Sequence, residues 1–98
     1  MQLMKHKYVR HSTLGVVFFP ADTELTHGNI GFVLRQARGK IVSAGFVWIE
    51  RYGVVVTGRS ESLGIGQAPD DADVIKNQLG YFSQEKNQII ATTKAEKE

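Results

Sequence analysis

Four polar residues in a row, Arg59, Ser60, Glu61 and Ser62 of "GRSESLGIG", form the densest run of reactive groups in this chain. A serine becomes a nucleophile only with a base in hydrogen-bonding reach, so catalysis would pair Ser60 or Ser62 with Glu61 or His27. No spacing in the sequence brings His27 to the serines. Alternating charge on an edge strand accounts for the same residues, because it discourages edge-to-edge pairing. Arg59 and Glu61 are read as half of a ligand or subunit contact, and the chain is expected not to be an enzyme. Three histidines (6, 11 and 27), few neighbouring carboxylates and no cysteine point to neither a metal site nor a disulfide. No cofactor is expected.

The same stretch continues as "GIGQAPDDADVIKNQLG", residues 64–80, where glycines precede an expected helix. Helix N-termini attract phosphate, because their first amides are unpaired and carry partial positive charge. Here, however, Asp70, Asp71 and Asp73 supply negative charge to that first turn themselves. The run lacks the Lys and Ser/Thr of a nucleotide-binding loop and the third glycine of a dinucleotide fingerprint. It therefore reads as a helix entry, with Pro69 as the first helical residue and Gly80 as the C-terminal cap. Ala68, Ala72, Ile75 and Leu79 make the stripe expected to be buried.

Charge is distributed unevenly. Residues 1–59 carry eight Lys and Arg against three acidic residues, and residues 60–98 carry four against seven, giving +5 and −3. A basic half of this kind marks either a solvated surface or a contact with an anion. Should it be a contact, Arg35, Arg38, Lys40 and Arg59 are the residues to hold a nucleic acid or a small anionic ligand such as a nucleotide.

These residues need elements to position them. "TLGVVFFP", residues 13–20, is a β-rich apolar run that Pro20 ends, as expected of a strand covered on both faces. Downstream, Ile30, Val33, Leu34 and Ala37, with Leu25 a turn earlier, line up as one helical stripe, capped by Asp22 or Thr23 and closed by Gly39. The segment "KIVSAGFVWIERYGVVVTG", residues 40–58, reads as a hairpin turning at "ERYG". Its first strand alternates, with Phe46 and Trp48 on one side, large enough to favour an interface if left uncovered. Gly58 marks a bend, beyond which "SESLGI" reads as a prolongation of the second strand. Residues 1–12 are taken as a basic arm, 13–81 as the domain and 82–98 as a polar tail, partly disordered.

At "IVSAGFV", "GRSESLGI" and "DDADVIKNQLG" the chain resembles small proteins encoded by phages and prophages, over roughly residues 13–81. The resemblance implies a context: such accessory proteins act by binding, capturing a host factor or a ligand. It carries over no activity and no functional residue. The expectation is one α+β domain of order β-α-β-β-α, with three or four strands and both helices on one face of the sheet. Its function is expected to be non-catalytic binding or regulation as a homodimer through Phe46 and Trp48, with nucleic-acid or small-anion binding as the alternative. The basic N-terminus lacks the layout of a secretory signal and no run is long enough to span a bilayer, so a cytoplasmic location is expected.

Overall fold

"MKHKYVRH" has only three apolar residues in eight, yet it forms the second strand of the main sheet, β1 (Met4–His11), buried between two neighbours. The computed structural model describes residues 4–50, 53–80 and 90–93. After β1 come β2 (Gly15–Pro20), α1 (His27–Leu34), β3 (Ile41–Glu50), β4 (Gly53–Thr57), β5 (Arg59–Ser60), β6 (Ile65–Gly66), α2 (Asp71–Gln78) and β7 (Ile90–Thr93). The main sheet has the order β2-β1-β3-β4-β7; its first four strands are antiparallel neighbours and β7 lies parallel to β4. Strands β5 and β6 make a separate two-stranded sheet. The class is α+β. No helix among the described residues is long and apolar enough to cross a membrane.

The basic arm expected over residues 1–12 is therefore corrected to a structural strand over Met4–His11. Tyr8 and Val9 are fully buried on opposite sides of it, and its charged residues each find a distant partner. Of the tail expected over 82–98, Ile90–Thr93 form β7 and the rest lies outside the described residues. The "ERYG" turn also falls partly outside them, although β3 and β4 end and begin on either side of it as the hairpin reading requires. Gly58 has a φ of 70°, the left-handed conformation glycine adopts without strain, and the chain bends there into β5 instead of prolonging β4.

The two helices pack on opposite faces of the sheet, not on one. Tyr8, Val16, Val47, Val54 and Val56 form one core with Ala72 and Ile75 of α2. Val9, Phe19 and Ala44 form another with Leu34 of α1, flanked by Ile30, Ile41, Leu63 and Ile65. Period-two alternation separates the sets: Tyr8 pairs with Gly45 and Val9 with Ala44, so successive pairs point to opposite sides. A bulge where the register shifts at Arg10 and His11 brings Ile41 to the α1 side.

Within α1 the buried residues are His27, Gly31 and Leu34, while Val33 is 62% exposed and Ala37 lies beyond the helix. The expected stripe is thus rotated. A Cβ at Gly31 would lie 2.8 Å from Leu63 Cδ2 and 3.1 Å from Ile41 Cδ1, so the missing side chain is what lets this face close on the sheet. Thr26, not Asp22 or Thr23, caps the helix, its hydroxyl accepting from Asn29 N while Asn29 Oδ1 accepts from Thr26 N. In α2, Ala72 and Ile75 are buried as expected, Leu79 is more exposed, and Pro69 precedes the helix, which opens at Asp71. Gly80, with φ 80°, follows the C-cap Leu79 in the left-handed conformation expected of it.

Candidate functional site

The glycine-rich entry to α2 is closed by its own carboxylates. Asp71 is fully buried and accepts four hydrogen bonds: Tyr8 Oη at 2.5 Å and Ala68 N at 2.8 Å on Oδ2, Ser43 Oγ at 2.7 Å and Arg10 at 2.9 Å on Oδ1. Arg10 also grips Asp70 at 2.8 and 3.2 Å. An anion already occupies the start of this helix, so there is no place for a phosphate. The surface dipole partner expected of Asp71 is instead an internal acceptor joining β1, β3 and α2. Burial, followed by the hydrogen bond and charge of Asp71, pushes the Tyr8 hydroxyl above its ordinary range, so it stays a donor. The hydrogen bond to Arg10 holds Asp70 below the usual carboxylate range. Each carboxylate oxygen of Asp71 already accepts two hydrogen bonds.

The other face is open. Between the start of α1 and the β5–β6 sheet lies a cavity of about 310 Å³, lined by Lys7, Thr26, His27, Phe46, Arg59, Glu61 and Ser62. Each residue is placed by an element already described. Lys7 projects from β1 and pairs in register with Phe46 on β3; Thr26 and His27 open α1; Arg59 belongs to β5. Buried His27 stands edge-on to Phe46, with ring centroids 5.2 Å apart, and edge-on to Phe19 at 5.6 Å.

Fold topology thus unites groups that the sequence leaves apart, His27 with Glu61 and Ser62, but their hydrogen bonds serve the scaffold. His27 Nε2 lies 2.7 Å from the carbonyl oxygen of Gly45, which makes that nitrogen a donor and unable to take a proton from serine. Ser62 Oγ accepts from Gly28 N at 2.8 Å, and Ser60 Oγ accepts from Leu63 N at 3.0 Å, tying the β5–β6 turn to α1. Among the described residues no group of three His, Asp or Glu side chains assembles to hold a metal.

The cations are less committed. Lys7 Nζ donates to Leu25 O at 2.8 Å and sits 5.9 Å from the Phe19 ring centre, leaving two of its three N–H groups over. Arg59 and Glu61, 50% and 76% exposed at their side chains, approach only to 3.8 Å. Such an exposed, loose pair adds little stability and can reorganise around a ligand.

Of the residues singled out in the sequence, Arg59 and Glu61 line the cavity, as does Phe46. Trp48 is half-buried beside it, and Lys5 Nζ lies over both rings, 4.7 Å from the centre of Phe46 and 5.8 Å from that of Trp48. Arg35, Arg38 and Lys40 are elsewhere. Arg35 caps the far end of α1, roughly 12 Å along the helix from His27. Arg38 and Lys40 follow it in a loop whose backbone bonds to Thr13 and Ser12 at the β1–β2 turn. Lys7 and Thr26 are the cavity residues sequence reasoning missed. The alternation of Lys5, Lys7 and Val9 was the available signal for Lys7, had β1 been recognised as a strand. No protein-family model, curated protein or solved structure matches the chain, so the site's own chemistry is the ground for a function.

Proposed function

We propose that this protein binds, without transforming it, a small anion that carries a planar apolar group, in the cavity between α1 and the β5–β6 sheet. The observation that carries the reading is the pairing of two incompletely satisfied cations, Lys7 and Arg59, with an aromatic wall formed by Phe46. Lys7 acts as a point charge and Arg59 as a planar fork, and together they suit a phosphate or carboxylate. Phe46 favours a flat ring beside it. A volume of about 310 Å³ is at the small end of ligand sites, the size of one ring with its acidic group. Glu61 at the rim selects against a second negative charge on the arginine side. The scaffold duties of His27, Ser60 and Ser62 support binding over catalysis.

Phenyl phosphate tests this, titrated by calorimetry alongside phenol and inorganic phosphate. It should bind more tightly than either fragment, Lys7→Glu or Arg59→Glu should weaken it about tenfold or more, and Glu61→Gln should strengthen it. Equal, charge-insensitive responses to all three compounds would refute the reading.

A further inference from the structure

We infer that the sheet face running from this cavity to Trp48 binds single-stranded nucleic acid, with successive bases on Phe46 and Trp48 and the backbone along Lys5 and Lys7. The inference rests on the cavity's being an anion site and extends it. Strand register lays out two rows on the α1 face: Lys5 beside Trp48 beside Val55, and Lys7 beside Phe46 beside Thr57. The next row, Val9 beside Ala44, is core under α1. Neither Phe46 nor Trp48 belongs to a core cluster, and both rings are half-buried, with the Lys5 side chain lying over them.

Phe46 and Trp48 are two residues apart on one strand face, hence ~6.6 Å apart. That spacing suits two bases splayed from each other, each against one ring, a stacking that every base can make. Both lysines come from β1: Lys5, which lies over the rings, swings to the phosphates as bases take its place, Lys7 continues the track, and Arg59 catches the strand where it enters the cavity. Glu50, two residues beyond Trp48 on the same face, and Glu61 at the cavity rim bound the track at its two ends. A duplex would offer this flat face neither unstacked bases nor a groove to fill. A second copy docked through the same face would set three cations, Lys5, Lys7 and Arg59, and only two carboxylates, Glu50 and Glu61, against an identical set, and the surplus of positive charge on each partner opposes association. Charge complementarity therefore favours the polyanion over the dimer.

Trp48 is the single tryptophan of the chain, so its fluorescence reports on this face alone. An oligothymidylate of about twelve nucleotides, within the range one small domain covers, should quench it, whereas an abasic oligomer of equal charge should bind much more weakly. Phe46→Ala followed by fluorescence, and Trp48→Ala followed by anisotropy of a labelled oligomer, should each weaken binding roughly 5- to 150-fold. With Lys5, Lys7 and Arg59 on the backbone, log affinity should fall against log salt with a slope of about −2, and Lys7→Glu should flatten it by about 0.7. Urea midpoints of the variants separate loss of binding from loss of fold, and Lys7→Glu, at the surface, does not depend on core packing. Equal affinity for the abasic oligomer, or no dependence on Trp48, overturns the inference. Binding of phenyl phosphate without the oligomer overturns it while sparing the cavity reading; binding of neither removes both. A dimer seen by light scattering that Trp48→Glu dissociates and the oligomer does not would assign the face to self-association instead.

Discussion

Replacing Asp71 by asparagine separates two roles for an acidic residue at a helix start. As a partner of the helix dipole it would contribute about 0.3–1 kcal/mol, and the amide would lose little more. As the buried acceptor of four donors it must behave differently. Asparagine matches the shape but offers one oxygen and one NH2. Ala68 N, a donor that cannot reverse, faces Oδ2, and the Arg10 guanidinium, also unable to reverse, faces Oδ1. Whichever way the amide turns, its NH2 meets a donor. One buried donor is then unsatisfied and a buried ion pair is lost, so Asp71→Asn should cost about 2–4 kcal/mol. Asp71→Ala, which also strands the hydroxyls of Tyr8 and Ser43, should cost about 3–5 kcal/mol. Against a total stability of about 5–15 kcal/mol, either is a large fraction.

Urea denaturation followed by Trp48 fluorescence is the assay. With a slope near the low end for small proteins, ~1–1.5 kcal/mol per molar, Asp71→Asn should lower the midpoint by roughly 1.3–4 M. Asp70→Asn, which alters only the exposed partner of Arg10, provides the control and should shift it far less. If Asp71→Asn moves the midpoint no further than Asp70→Asn, the buried-acceptor reasoning is wrong.

The Tyr8 hydroxyl, raised first by burial and then by Asp71, links the same knot to alkaline pH. Its contribution is complete below the unfolded value of about 10 and falls as pH rises beyond it, by up to ~1.4 kcal/mol per pH unit. Wild type should therefore lose stability relative to Tyr8→Phe between about pH 10 and 11, as the difference between their urea midpoints shows; a constant difference counts against the assignment. At the β2 edge, Gln78 Oε1 accepts from Val16 N at 2.8 Å and Gln78 Nε2 donates to Val16 O at 2.7 Å, a side chain standing in for a neighbouring strand. Gln78→Ala should cost about 1–2 kcal/mol and speed hydrogen exchange at the Val16 amide, and unchanged protection there would contradict this role.

How much of this was legible depends on where each residue's partner lies. The β3–β4 hairpin, β2 and the end of α2 follow from local signals: β-branched runs, Pro20, and glycines with positive φ at 58 and 80. β1 was illegible because its polar residues have partners far along the chain. Arg10 reaches Asp70 and Asp71, about sixty residues away, Lys7 reaches Leu25, and Lys5 lies over Phe46 and Trp48. His11 is buried with Nδ1 accepting from the amides of Thr13 and Leu14, a cap for the tight turn into β2. A strand covered on both faces ordinarily reads as a continuous apolar run; here long side chains and paired charges supply the cover. The misplaced helices have the same origin. With β1 absent from the reading, nothing assigned one helix to each face, and Gly31, which has no side chain to mark a buried stripe, is the contact that seats α1.

The knot and the cavity occupy opposite faces of the same two strands, and this ties one to the other. Tyr8 and Arg10 on β1 and Ser43 on β3 turn toward Asp71, so by alternation Lys5, Lys7, Phe46 and Trp48 turn toward the cavity side. A slip of one residue between β1 and β3 would exchange the two sets, bringing lysines into the core and Tyr8 into water. The buried carboxylate opposes that slip, because only one register presents Tyr8, Arg10 and Ser43 to it together. Gly45 joins the two faces directly. It pairs with Tyr8, and a Cβ there would lie 3.3 Å from the Tyr8 ring and 2.9 Å from Thr57 O, while its carbonyl receives His27 Nε2 from the other side. The tyrosine that reaches Asp71 and the histidine that braces Phe46 thus meet across one residue without a side chain. Residues that never approach a ligand thereby set the spacing of lysines and rings on which recognition of an anion would depend.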